Sequence, residues 1–384
     1  MRAVVLEADW DPRPGTVISD EDVARRWAPN AHVVYRNPRV SVRDVEPPGE
    51  PGPGELLIRV ANCGMCGSDL HMYESDEDGY IILPYHLKSP VVLGHEFSGT
   101  IEAVGRGVKR VAVGDIVAVE EIQYCGECHA CRGGYPNSCE RIEDFGFTID
   151  GGYAEYVIAP VKAVWSLNPL LDRYSREQAL EVGALCEPTS VAYEGMFTRA
   201  GGFKPGGAVA VFGAGPIGLA SIAHAAAAGA SAVIAFETVP DRRDLASRIG
   251  ATHVFDPTEV RASEVVREIT RGIGVAMAVE ASGAWTHVMS ELDLCLAVGG
   301  KAAIVGMGPE SPTVNLVEYQ LRGASLYGSV GHCGGWDYGN VINLMASGRI
   351  HMEHAITHRY DVEGFVAALE SLRSRTQGKV LVRP

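Results

Sequence analysis

The sequence predicts an α/β protein of two domains, one of them a doubly wound parallel sheet, and three observations carry that prediction. The chain has 384 residues, more than one hydrophobic core organises comfortably. Its stretch from Ala208 to Phe236 contains no Asp, Glu, Lys or Arg, as expected of strands buried on both faces of a parallel sheet. Strand and helix patterns then alternate to about residue 328.

The first element is a strand. Arg2-Ala3-Val4-Val5-Leu6 is a short apolar run broken by Glu7 and Asp9, too short for a secretion signal. A polar stretch with Trp10, Asp20, Glu21, Asp22 and Trp27 precedes Val40, and the segment from Tyr73 to Tyr85 adds Glu74, Asp76, Glu77 and Asp78. Each segment either overhangs a cleft or is a solvated loop.

Three separate segments then offer metal-ligating groups: Cys63-Gly64-Met65-Cys66-Gly67-Ser68-Asp69-Leu70-His71, Gly94-His95-Glu96 and Cys186-Glu187-Pro188. Thiolate, imidazole and carboxylate in a mixed, incomplete set are what a catalytic zinc with an open position uses. Taken singly, Cys63 and Cys66 are equally a redox C-x-x-C, and His95 a hydrogen-bonded core histidine.

Between these segments, Cys125, Cys128, Cys131 and Cys139 spell C-x2-C-x2-C-x7-C. Two intervening residues let successive thiolates turn toward one centre, and Gly126, Gly133, Gly134 and Pro136 supply the tight backbone of a closed loop. A structural zinc site is the expectation; paired disulfides and an iron–sulfur cluster are the other chemistries open to four cysteines.

The parallel sheet begins at Ala208-Val209-Ala210-Val211-Phe212. Gly213-Ala214-Gly215-Pro216-Ile217-Gly218 follows as G-x-G-x-x-G, then an Ala-rich helix to about Ala228 and a second strand, Ala232 to Phe236. In that setting Gly213 makes the turn, Gly215 admits a pyrophosphate, Gly218 lets helix and strand approach, and the helix N-terminus faces the phosphates. The same reading puts Pro216, Ile217 and Arg242 among the cofactor-binding residues. Glu237 ends the second strand, where a carboxylate accepts ribose hydroxyls and repels a 2′-phosphate, which favours NAD over NADP. Arg242 and Arg243 oppose that preference or simply start a solvated helix. A helix from Asp241 to Ile249, a strand at His253 to Phe255, a helix from Glu264 to Thr270 and strands at Val275 to Glu280 and Ala302 to Val305 continue the pattern. Ser282-Gly283 and Gly306-Met307-Gly308 are loops of the kind that border a nicotinamide at the C-terminal edge of such a sheet. His332-Cys333-Gly334-Gly335-Trp336 lies just past it, lining either cofactor or substrate.

Acidic residues outnumber basic ones 48 to 33, for a net charge of −15, and no Lys/Arg cluster is present. Nucleic acid is therefore not an expected partner. Glycines at 213, 215, 218 and 229 break the uncharged run into separate elements, so no membrane span is expected and the cytoplasm is the default location.

The order C-G-x-C-G-S-D-x-H, G-H-E, four-cysteine lobe, E-P and G-x-G-x-x-G resembles the zinc-dependent medium-chain alcohol and polyol dehydrogenases over essentially the whole chain. The glutamate of Glu187-Pro188 makes it more similar to sorbitol, threonine and butanediol dehydrogenases than to liver-type enzymes, whose third ligand is cysteine. Asp9-Trp10-Asp11-Pro12-Arg13-Pro14, Gly79-Tyr80-Ile81, Ala163-Val164-Trp165-Ser166-Leu167 and Glu187 to Tyr193 are similar to enzymes that oxidise inositol-derived cyclitols such as scyllo-inosose.

The resemblance implies a GroES-like β-barrel catalytic domain over 1–188 and 329–384, with a zinc lobe at about 124–140, and a Rossmann NAD-binding domain over 189–328. It implies two zinc ions per chain. Cys66 and His95 would bind the catalytic ion, with Glu96 or Glu187 in the next position, and Cys125, Cys128, Cys131 and Cys139 the structural one. Cys186 is a lesser candidate whose other role is packing. Ser68 would take the substrate hydroxyl proton and His71 would exchange it with solvent, unless His71 is only a surface residue on a helix. Asp69 would orient the ligand loop. The substrate would be a small polyol or cyclitol, with an open-chain alcohol as the alternative, and the assembly a homodimer or homotetramer. A non-catalytic dinucleotide-binding relative would lack this intact set.

Overall fold

A computed structural model describes residues 1–308 and 311–384. In the N-terminal part, β1 (Arg2–Trp10) pairs antiparallel with β2 (Tyr35–Asp44). A larger sheet is built around β3 (Glu55–Gly64), which is bordered by β4 (Glu96–Val104) and, at its C-terminal end, by β15 (Lys379–Arg383). Beyond β4 lie β5 (Ile116–Val119) and β7 (Val164–Ser166); β6 (Tyr156–Pro160) pairs with the start of β3, and β14 (Ile356–Asp361) runs parallel to β15. Leu56, Ile58 and Val60 alternate into the interior with exposed Arg59 between them, the two-residue period of a half-buried strand.

The second sheet has six parallel strands in the order β10, β9, β8, β11, β12, β13: β8 is Val209–Phe212, β9 Val233–Phe236, β10 His253–Phe255, β11 Val275–Glu280, β12 Leu296–Ile304 and β13 Ser325–Gly328. The order reverses at β8, so the loops after β8 and β11 open a crevice at the strands' C-terminal ends. The predicted strands fall within a residue or so of these, except that β12 begins at Leu296 rather than Ala302. It passes through exposed Gly299 with a shift of register, and a glycine with positive φ does not read as strand.

Helix α1 (Gly67–Tyr73) follows β3. Helix α2 (Cys186–Tyr193) continues in a wider turn through Arg199, α3 (Pro216–Ala227) crosses from β8 to β9, and α4 (Pro240–Ile249) follows β9. One apolar core runs from Leu167 and Leu180 through Cys186 and Ala192 to Val209, Leu219, Tyr338 and Leu381. It therefore joins the two sheets rather than filling one of them. No helix among the described residues is long and apolar enough to cross a membrane.

Two polar segments of the N-terminal part have a structural use. Arg13 pairs with Asp76 and Asp78 and lies over the Tyr80 ring at 3.9 Å, which fastens the first segment to the second. Those two carboxylates thus serve to hold the two segments together.

Candidate active site

The site is organised by a glycine with no room for a side chain. Gly64 pairs with Glu96 on β4 and with Leu381 on β15. A Cβ on Gly64 would lie 2.1 Å from Glu96 Oε2, so the carboxylate occupies the space above it. Lys379 is two residues before Leu381 and on the same face of the sheet. Its Nζ donates to Glu96 Oε1 at 2.7 Å, to Oε2 at 2.5 Å and to Met65 O at 2.8 Å.

Cys66 stands at the N-cap of α1, where Asp69 Oδ2 accepts its backbone N–H at 2.8 Å and the Tyr153 hydroxyl at 2.9 Å. Asp69 thus orients the loop that carries Cys66. The ligand atoms of Cys66, His95 and Glu96 lie within 4.8 Å of one another. His95 Nδ1 is buried without a hydrogen-bond partner, as is Ser68 Oγ one turn into α1. Burial alone would depress the His95 imidazole, but the Cys66 thiol and the charges of Asp69 and Glu187 hold it well above its ordinary value. A pocket that draws a proton onto a buried imidazole offers a divalent cation the same field, so these donors fit a metal. His71, on the same helix, is half-buried rather than superficial, and burial lowers its pKa.

The four lobe cysteines converge, with ligand atoms within 4.8 Å. Cys125 Sγ lies 3.5 Å from Cys139 Sγ and 3.9 Å from Cys131 Sγ, and Cys128 Sγ lies 3.9 Å from Cys139 Sγ. Bonds of about 2.3 Å from one tetrahedral zinc place thiolates about 3.8 Å apart, whereas disulfide sulfurs sit at about 2.0 Å. Backbone N–H groups of Glu127 and Cys128 donate to Cys125 Sγ and pull its pKa down to about 6, which favours the ligating thiolate. Arg199 ties this lobe to α2, donating to Gly134 O and Asn137 Oδ1.

At the nucleotide turn, Gly213 has φ +92° and a Cβ there would meet Ser282 at 2.9 Å; one on Gly218 would meet Gly213 O at 1.9 Å. Gly215 differs, because its Cβ would find nothing nearer than Arg242 Nη1 at 3.7 Å. The protein does not demand that glycine, so the open space fits a ligand pressed against the backbone. Pro216 and Ile217 open α3, whose first N–H groups are free. Glu237 is buried at the end of β9, where it accepts Ala214 N at 2.7 Å and Val239 N at 2.9 Å.

Residues 52–169 match the model of the alcohol dehydrogenase GroES-like domain, and residues 216–347 that of the zinc-binding dehydrogenases. The chain is 41% identical to a scyllo-inosose 3-dehydrogenase of Thermotoga maritima, with 91% of each covered. It belongs to the zinc-binding alcohol dehydrogenases. An L-threonine 3-dehydrogenase of Pyrococcus horikoshii is 35% identical to this dehydrogenase over 86% of it and 92% of the relative. A solved Thermotoga maritima structure described as an alcohol dehydrogenase superposes with a TM-score of 0.95 at 38% identity, covering all of both chains. The family makes this dehydrogenase an oxidoreductase, with a GroES-like domain beside a Rossmann-type sheet.

Glu187, at the start of α2, lies outside the compact set of Cys66, His95 and Glu96 but within their field. Burial pushes its pKa up to about 7, and the Glu96 charge adds to that. Cys186 is wholly buried in the core, outside the converging donor set, and burial raises its thiol. Sequence reasoning missed Lys379, Tyr153, Glu121 and Asp144. Glu121 is buried beside Glu187, with Oε1 accepting His332 N at 3.2 Å and Oε2 without a partner. That bond brings the His332-Cys333 segment to the site's edge. Glu194, His332 and Asp337 form another His/carboxylate group, in which Arg199 Nε lies 2.6 Å from Glu194 Oε1. Glu280 accepts from Ser282 N and Gly283 N at 2.8 and 3.0 Å, and Gly283 packs on Met307, so the two predicted crevice loops meet.

Proposed function

We propose that this dehydrogenase transfers hydride between NAD and a secondary alcohol or ketone of a cyclic polyol of the inositol or inosose type, with one catalytic and one structural zinc per chain. The observation that carries the reading is the convergence of Cys66, His95 and Glu96 beside the buried, unpartnered hydroxyl of Ser68. The substrate class rests on the likeness to the scyllo-inosose enzyme, which is greater than that to the threonine enzyme.

Cys66 and His95 would hold the catalytic ion, with Glu96 as the nearest carboxylate and Glu187 as its alternate; Cys125, Cys128, Cys131 and Cys139 would hold the structural ion. A metal held there would supply Lewis-acid polarisation of the substrate oxygen, and a bound nicotinamide would supply the hydride acceptor for the adjacent carbon. Ser68 Oγ, with no protein partner, receives the hydroxyl proton and passes it toward His71. The lowered pKa of His71 keeps its imidazole neutral near pH 7 and ready to accept that proton. Lys379 neutralises Glu96, and both side chains of that pair are buried.

Gly213, Gly215, Pro216, Ile217 and Gly218 would cradle the pyrophosphate, with Arg242 over Gly215. NAD is favoured over NADP because Glu237 stands at the ribose end and Arg243 is spent on Glu237 O, Thr238 O and Asp256 Oδ2. Arg242 Nε is likewise held by Gln377 O at 2.9 Å.

We read residues 1–188 with 329–384 as the catalytic domain and 189–328 as the nucleotide domain, since β14 and β15 return to the first sheet and β13 closes the second. Edge strand β13, with Leu316, Leu321 and Leu326 exposed near it, supports a homodimer or a homotetramer. Nine cysteines with no disulfide among them fit the cytoplasm. A substrate panel of inositols, inososes, sorbitol, butanediol and threonine tests the reading: cyclitol-selective turnover supports it, and turnover of open-chain alcohols alone replaces it with the alternative.

A further inference from the structure

The polar segment after β1 carries an aromatic side chain that is linked to His95 through two other rings. Trp27 and Ala28 pair antiparallel with Leu87 and Lys88, a few residues before His95. The Trp27 indole stacks on the His86 imidazole, with ring centroids 5.7 Å apart and planes at 13°. His86 in turn packs against Tyr85 and Phe147, and Phe147 lies 4.9 Å from the His95 ring. An unbroken aromatic wall therefore runs from Trp27 to a candidate metal ligand.

A carboxylate sits within that wall. Asp144 is 1% exposed; its Oδ2 accepts the His86 Nε2–H at 3.1 Å and the Tyr85 hydroxyl at 3.2 Å. Its Oδ1 is buried with no partner, and so is the indole nitrogen of Trp27, which stacks on His86. Glu121 is buried as well, and the charges of Glu187 and Asp144 both act on it. Ring contacts thus link His95 through Phe147 to His86, whose Nε2 meets Asp144. A free acceptor and a free donor buried in such a wall are costly unless something fills them. A hydroxyl satisfies both kinds of group at once, and a ring bearing several hydroxyls presents adjacent ones in fixed geometry.

We infer that Asp144, with the Trp27 indole N–H, is a specificity-determining pair that binds hydroxyls of a cyclic polyol remote from the reacting carbon. The inference rests on the polyol reading above and names the protein groups that make the selection. Asp144 Oδ1 accepts a hydrogen bond from one substrate hydroxyl, and Trp27 Nε1 donates to a neighbouring hydroxyl oxygen. His86 and Tyr85 hold the carboxylate in place. The N-terminal segment thereby acts as a specificity element laid over the catalytic domain.

The test uses the metal-loaded full-length enzyme with Asp144→Asn and Trp27→Phe, the second keeping the stack on His86 while removing only the donor. Each variant is assayed on the best polyol substrate of the wild type and on a secondary alcohol with a single hydroxyl. The expected result is a loss of about 10- to 100-fold in kcat/KM on the polyol, carried by KM, with the simple alcohol and the thermal midpoint of Trp27→Phe unchanged. Equal losses on both substrates, or no loss on the polyol in either variant, would overturn the assignment. A wild type that turns over no polyol fails the functional reading and takes this assignment with it, whereas wild-type polyol turnover with unaltered selectivity in both variants removes the assignment alone.

Discussion

Lys379 and Glu96 form an ion pair over Gly64 with both side chains 1% exposed, at 2.5 Å between Nζ and Oε2. The pair joins the last strand to the strand that carries Glu96, the carboxylate of the candidate site. A buried carboxylate without its cation is costly, so Lys379→Met is expected to lower stability by about 3–5 kcal/mol. The double variant Lys379→Met with Glu96→Gln recovers most of that loss, because no charge then remains unpaired. Urea unfolding of the three proteins measures both effects. Gly64→Ala, which drives a Cβ into Glu96, should reproduce the instability with the pair's chemistry intact.

The four-cysteine lobe is expected to hold its metal independently of the active site. Cys131→Ser should remove about one zinc per chain and lower the thermal midpoint, since a closed tetrathiolate contributes folding energy directly. Zinc content by elemental analysis, compared with that of Cys66→Ser, separates the two sites. Loss of both ions from either variant would contradict the separation.

How much of this was legible in the sequence depends on distance along the chain. The strand, turn and helix from Val209 to Ala227 and the cysteine lobe are local patterns whose residues carry their own reason for being there. Cys66, His95 and Glu96 were legible as residue types, but only the register of β3 against β4 brings them together. Lys379 lies 283 residues from Glu96, and its one sequence signal is a charge leading the apolar run Val380-Leu381-Val382. Asp144 and Glu121 gave no signal, because acidic residues in a charged chain read as surface until burial is known. The acidic residues from Glu74 to Asp78 read as either a loop over a cleft or a solvated loop, and the sequence did not show that Arg13 engages Asp76 and Asp78.

Ser68→Ala is expected to lower kcat by about 100-fold or more while leaving zinc content and the thermal midpoint unchanged, as for a lost proton-transfer group. A fall in zinc content would make Ser68 part of the metal site's support.

His224 on α3 is fully buried and donates to Thr189 O at 3.0 Å, and burial pushes its pKa down to about 4. The folded state thus refuses a proton that the unfolded chain accepts near pH 6.5. Stability is full above about pH 6.5 and falls progressively toward pH 4, by about 3 kcal/mol from this group. His224→Gln, which retains an N–H donor, should flatten that acid dependence; urea midpoints across the interval check it.

Glu237→Ala is expected to narrow the preference for NAD over NADP by removing the charge that opposes a 2′-phosphate. The ratio of kcat/KM for the two cofactors measures it. An unchanged ratio would place cofactor choice elsewhere.

The most direct test of the central claim is NADH formation from inositols and inososes by the zinc-loaded enzyme, run beside Cys66→Ser with zinc content determined for both. The account predicts cyclitol-selective turnover in the wild type, and in the variant loss of turnover together with about one zinc, the cysteine-lobe metal being retained. Undiminished turnover by Cys66→Ser, or a wild type that oxidises no cyclitol, would contradict it.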